Sequence, residues 1–280
     1  MTATIHWAVE LTALSSVVHA GDTHGTDTLL RREQITTAEG DTTVIPVISG
    51  NAFRGRLRRV AEELFRDALH LEGQVPLNAA YALRNGGSLY KSSREPLTGR
   101  RRAAIRDLVP VLGVFGCAAG STILDGALEV GKVVPHATET VHLTGVPNKL
   151  SVFDLVQLEE YSHTDDLADH AGPDVAAQRD DDTTGNQMRY AVETFPVGTR
   201  FSSYLRLTRA SDHQIAFFTE VLAHFSQFAQ LGGRRAIGHG RCHLDTTDEL
   251  VAGSYDDTHD WRAVALDRRD AVIEALAALA

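Results

Sequence analysis

Two short stretches of this 280-residue sequence carry residue types that hold an anion. The first is SGNAFRGRLRR, residues 49 to 59. Ser49 suits a helix N-cap, and the helix behind it starts with unpaired backbone N–H groups and the positive end of the peptide dipole, which attract phosphate. Arg54 and Arg58 stand at i and i+4 and project from one face, while Phe53 and Leu57 turn to the core. Asn51 adds an amide able to bond phosphate or ribose. The same residues also suit a capped helix with a basic solvent face.

The second stretch is LGGRRAIGHGR, residues 231 to 241. Its glycines let a backbone approach closely, and Arg234, Arg235, His239 and Arg241 supply cationic or hydrogen-bonding heads. A helix C-cap followed by a tight turn is the plainer reading; arginines packed beside glycines favour polyanion contact. No Gly-Lys-Ser or Gly-Lys-Thr follows, so it is not a Walker A loop, and no GxGxxG opens a helix after a strand. His239, Cys242 and His243 are zinc-ligand types, but on a strand Cys242 and His243 point to opposite faces, and further ligands are missing. HExxH, GxSxG and CxxC are absent. No metal and no cofactor are expected.

Elements must place these two stretches. Residues 4 to 18 alternate loosely and read as a first strand, followed by a polar stretch over 22 to 43 and a short strand at Val44–Ile48. Phe53, Leu57, Val60 and Leu64 recur at helical spacing behind Ser49. Gly73 to Gly99 reads as an irregular excursion, and Leu108–Phe115 and Ala127–Val134 as β-leaning runs. Residues 136 to 193 have a loop-like composition, with GPDVAAQRDDDTTGNQ the least ordered piece. Thr199–Thr208 alternates as a strand, Ile215–Leu231 is an amphipathic helix ending at Gly232 and Gly233, and a final helix runs from about Asp260 to Leu279.

Composition sets the outer limits. The 27 basic and 37 acidic side chains give a formal charge of −10 and a pI near 5.7, which opposes indiscriminate polyanion binding at long range. The charge is bipolar: arginines crowd 54 to 106, and carboxylates dominate 154 to 182 and 245 to 260. Two cysteines are too few for a disulfide framework, and no run approaches the roughly 20 apolar residues that span a bilayer. With no basic leader at the N-terminus, a cytoplasmic protein is expected and a membrane partner is not.

In order along the chain, IPVISGNAFRGRLRR, GVFGCAAG, ETFPVGTRF and LGGRRAIGHGR resemble the RAMP superfamily of CRISPR proteins, and SGNAFRG resembles the backbone subunit of type IV effector complexes. The resemblance implies an α+β fold with a ferredoxin-like or RRM-like palm over 1–66, 108–135 and 194–250. A finger-like insertion would occupy 67–107, a thumb-like insertion 136–193, and a C-terminal helix 251–280. It implies a non-catalytic subunit that polymerises head to tail along a guide RNA beside other CRISPR effector subunits, with target nucleic acid as a further partner. On this chain the RNA contacts would be Ser49, Asn51, Arg54, Arg58, Arg234, Arg235 and His239. Related type III backbone subunits cleave target RNA through a loop aspartate and a divalent metal; Asp27, with Asp22 nearby, occupies a comparable place and supplies the enzymatic alternative. A mononucleotide site in the Gly-rich loop is a third reading.

Overall fold

Every second residue of the first strand, β1 (Thr2–Ala13), is apolar, and Ala3, Ile5, Trp7, Val9, Leu11 and Ala13 are all buried. A period of two on a pleated strand sends that set to one face, where helices must cover it. The computed structural model, which describes residues 1–89, 98–120, 122–163 and 188–279, shows how. Helix α1 (Gly50–Ala68) lays Phe53, Leu57, Ala61 and Phe65 on the sheet, at the i, i+4, i+8, i+12 spacing of a buried stripe. Ser49 caps it, its hydroxyl accepting from the Ala52 N–H at 3.2 Å.

Four further β-segments complete the principal sheet. β13 (Arg200–Ser211) and β14 (Cys242–Gly253) flank β1, and the short β9 (Leu128–Val130) and β10 (Val134–Pro135) share the outer edge of β13. All pairings are antiparallel, which gives the order β14-β1-β13-β9/β10. Read as strand, helix, strand, strand, helix, strand, this is the 4-1-3-2 order of two interleaved βαβ units, an α+β ferredoxin-like fold. The second helix, α6 (Asp212–Gln227), starts in a capping box between Ser211 and Gln214 and packs beside α1, with Phe225 against Phe53 at 5.7 Å between ring centroids.

Between these units the chain forms β2 (Ala20–His24), β3 (Asp27–Leu30), β4 (Arg32–Thr36) and β5 (Thr42–Pro46). The polar stretch over 22 to 43 is therefore two hairpins rather than a loop. The β4–β5 hairpin lies over the second face of the principal sheet. Ile45, Val47, Ala137, Val152 and Leu155 form a small core there, beside a hollow of about 620 Å³ lined by Glu10, Lys132, Ser202 and Tyr204. β2 and β3 join β11 (Gln157–His163) and β12 (Met188–Thr194) in a separate four-stranded sheet, ordered β11-β12-β3-β2.

Several expectations need correcting. Pro110–Phe115 is a helix, α4, not a β-run; its proline sits at the first turn, where a missing N–H costs nothing. Residues 67 to 107 hold two more helices, α2 (Leu77–Asn85) and α3 (Gly99–Leu108), and the short β6 (Gly87–Leu89), which pairs with β7 (Cys117–Gly120) and through it β8 (Thr122–Leu124). Residues 136 to 163 contain a 3₁₀ turn at Thr138–Thr140, the short α5 (Val141–Thr144) and β11. GPDVAAQRDDDTTGNQ lies outside the described residues. α6 stops at Gln227, four residues before the Leu231 end expected for it, because Ala229 and Gln230 turn back to pair with Arg241 and Cys242. The final helix is two, α7 (Trp261–Asp267) and α8 (Arg269–Ala277), and the segment before them carries β14 as far as Gly253.

Candidate nucleic-acid interface

The start of α1 and the Gly-rich loop, far apart in sequence, meet. Arg56 donates from Nε to the Gln230 carbonyl at 3.2 Å, just ahead of the loop. Burial lowers the Arg56 pKa to about 10, and the nearby charges of Arg235, Arg59 and Arg84 push the same way against Glu63. At neutral pH it stays charged, so several cations stand close together with their repulsion incompletely relieved. The ion pairs of α1 fall on its later turns, where Glu62 and Glu63 take Arg84 and Glu62 takes Arg66. Arg56 and Arg59 make none among the described residues.

Arg54 and Arg58 do not project freely, contrary to their sequence reading. Arg58 is 7% exposed and donates to the carbonyls of Ala82 at 3.2 Å, Gly116 at 2.9 Å and Phe115. Arg54 reaches Phe115 O at 2.8 Å and the Leu128 carbonyl. Both guanidiniums lie near the Phe115 ring, at 5.9 and 5.5 Å from its centroid. The cause is the C-terminus of α4, whose last carbonyls have no helical partner and come to rest above this face of α1. Burial, then the charge of Arg54, lowers the Arg58 pKa to about 10. Outside them a hollow of about 200 Å³ is lined by Asn51, Arg54, Gly55, Arg58, Arg59, Arg84 and Asn85. Asn51 is exposed at its rim, and Ser49 is occupied as the cap.

Glycine is required in the second stretch where two backbones touch. Gly232 has φ +75°, and a Cβ there would lie 2.0 Å from the Val18 carbonyl; Gly240, at φ +85°, would meet Leu231 O at 2.1 Å. This close packing seats the loop against residues 16 to 18, with the Gly233 N–H on Val18 O and the Gly240 N–H on Ser16 O.

His239 is 4% exposed and ties the loop to its neighbours. Its Nδ1 lies 2.9 Å from Ser16 Oγ and its Nε2 2.7 Å from the Tyr161 hydroxyl. Tyr161 donates its single proton to Glu159 at 2.8 Å, so His239 donates to the Tyr161 oxygen from Nε2. Burial opposes the Glu159 charge, but hydrogen bonds from Ser16, Tyr161, Thr194 and Gln157 outweigh it and hold the pKa at about 2. Burial and the same carboxylate raise Tyr161 to about 12. Arg234, in a left-handed conformation at φ 52°, places its guanidinium over the stacked rings of Tyr161 and Tyr190, 5.8 and 5.2 Å from their centroids. Arg235 alone of the loop's expected contacts is left beside the α1 cations.

Asp27 opens β3 at the tip of the β2–β3 hairpin and lines a hollow of about 470 Å³ with Glu160, Tyr161, Arg189 and Tyr190. No group of three or more metal-ligating side chains converges among the described residues. Cys242 is buried at the start of β14 and His243 is exposed, so the two face apart.

Sequence reasoning did not single out Arg56, Arg59, Glu159, Tyr161 or Tyr190. Arg56 and Arg59 were visible as part of an arginine run, but only the packing of α4 reveals that Arg58 is buried while Arg56 and Arg59 are left half-buried. The tyrosines carry no short-range motif.

No curated protein matches the chain. A chain of the solved structure named "Type IV-B CRISPR Complex" is 31% identical, with a TM-score of 0.68 over 92% of this chain and 97% of that one. The sequence model of the RAMP superfamily matches residues 10–243, through β1, α1, both halves of the principal sheet and the Gly-rich loop, and the chain belongs to that superfamily.

Proposed function

We propose that this chain is a non-catalytic, RNA-binding backbone subunit that oligomerises head to tail along guide RNA in a type IV CRISPR ribonucleoprotein, together with other effector subunits. The likeness to a chain of a type IV-B CRISPR complex supports the assembly. The observation that carries the RNA reading is the meeting of Arg56, Arg59 and Arg235 in a molecule whose formal charge is −10. Cations held together without matching carboxylates favour a bound polyanion, which lowers their mutual repulsion. Phosphate contacts fix register without reading sequence, as a subunit coating variable guides requires. The second sheet face is partly roofed by the β4–β5 hairpin, which moves the binding surface to the helix tip and loop.

On this reading, Arg58, Arg54 and His239 are positioning residues, and Ser49 and Asn51 shape the helix entrance. Arg234 joins the loop to the thumb-like sheet. Titrating the full chain against unstructured RNAs of increasing length tests it. Affinity rises with length and falls with salt, and Arg56→Ala, Arg59→Ala and Arg235→Ala each weaken all sequences alike and reduce the salt slope by about one phosphate. Absence of binding at every length, with partner subunits present, overturns it.

A further inference from the structure

We propose that Phe228 is a stacking platform for one nucleobase of the single strand lying on the arginine cluster. The inference rests on the RNA reading above and adds a second mode of contact to it. Phe228 is 83% exposed, the barest phenylalanine among the described residues. An isolated surface apolar residue is ordinary, so its surroundings decide the matter.

Those surroundings are fixed by neighbours on both sides. Its backbone N–H bonds the Phe225 carbonyl at 3.2 Å, one turn from the ring that packs on Phe53 near the start of α1. Two residues later the Gln230 carbonyl holds Arg56. Two residues of chain span at most about 7 Å, so the Phe228 backbone lies close to the carbonyl that holds Arg56, and its exposed ring leaves the chain at the border of the Arg56, Arg59 and Arg235 region. Ile237, 58% exposed, adds a further apolar side chain in the same loop.

Phe153 offers a contrast. It is 75% exposed, but the charged groups around its turn are Glu139 and Asp154, which repel a phosphate chain. A bare ring beside unpaired guanidiniums is the combination that binds single strands: charge tracks the backbone, and a π-face accepts any base. Stacking also contributes nothing to counterion release, which separates it experimentally from the arginines.

The test compares Phe228→Ala and Phe228→Trp in the full chain, using a short single-stranded RNA, the DNA of the same sequence, and an RNA backbone with abasic sites. The expected result is a loss of roughly 5- to 150-fold for Phe228→Ala on strands with bases, no loss on the abasic strand, and an unchanged salt slope. Phe228→Trp retains or improves affinity. Equal loss on RNA and DNA supports a base contact independent of the sugar. Wild-type affinity for Phe228→Ala overturns the platform while leaving the RNA reading intact. Smaller assemblies with undiminished short-strand binding mark Phe228 as a subunit contact and also overturn it. If the wild-type chain binds no RNA, both readings fall.

Discussion

Three carbonyls gathered at one guanidinium define Arg58. Removing it strips the buried Gly116 carbonyl of its donor and weakens the sets at Phe115 and Ala82, which keep Arg54 and the Gly86 N–H; an unsatisfied buried polar group costs roughly 1–3 kcal/mol. Arg58→Ala is expected to lower stability by about 3 kcal/mol, read as an earlier urea midpoint. Arg59→Ala changes stability by less than about 0.5 kcal/mol while weakening RNA. Glu159 gives a pH counterpart. Its pKa falls from the 4.5 of a free glutamate to about 2 on folding, so its contribution is complete above 4.5 and is lost as pH falls toward 2. Chemical shifts of the Tyr161 and Tyr190 rings followed by NMR from pH 5 to 2 are expected to move through that window, and Glu159→Gln to remove the dependence. Residue types were legible in the sequence at both places, but side-chain direction was not. An i, i+4 pair of arginines looks the same whether solvent or a helix end lies above it.

At the level of elements, the Gly-rich loop is a clamp whose shape depends on contacts too close for a side chain. Gly232→Ala forces a methyl group against Val18 O and a non-glycine residue into φ +75°. A stability loss of about 2 kcal/mol or more in thermal unfolding is expected, accompanied by weaker RNA binding as Arg235 leaves Arg56. Much of this architecture could be read in advance: the Ser49 cap, the apolar stripe of α1, the alternation of β1 and β13, and the split βαβ order. What could not be read has local causes. Six apolar residues from Pro110 to Phe115 are too short for periodicity to separate helix from strand. Likewise, β2 to β5 are four or five residues each, and their sequences, AGDTH, DTLL, REQIT and TTVIP, are too short to show a period-two apolar alternation.

For the whole molecule, opposite charges occupy different regions. Carboxylates dominate β14 and the turn after it, where Asp245, Asp248, Glu249 and Asp257 are exposed, whereas the cations collect at the helix tip and loop. With a formal charge of −10, copies of the chain repel one another at distances beyond contact, and on the proposed reading a bound strand would screen that repulsion while holding copies in line. Assembly is therefore expected to require RNA: light scattering shows monomers without it and a mass increasing with strand length in its presence. Monomers persisting on long RNA at saturation contradict this.

One hydroxyl group answers to two masters in this fold. Tyr161 receives the proton of His239 and gives its own to Glu159, so the β11–β12 ribbon and the Gly-rich loop hang from a common peg. A tug on the ribbon, such as a neighbouring copy leaning on it, is felt at Arg234 and Arg235 through a few rigid bonds. On the proposed RNA reading, grip on the strand and the posture of the ribbon are thus mechanically coupled.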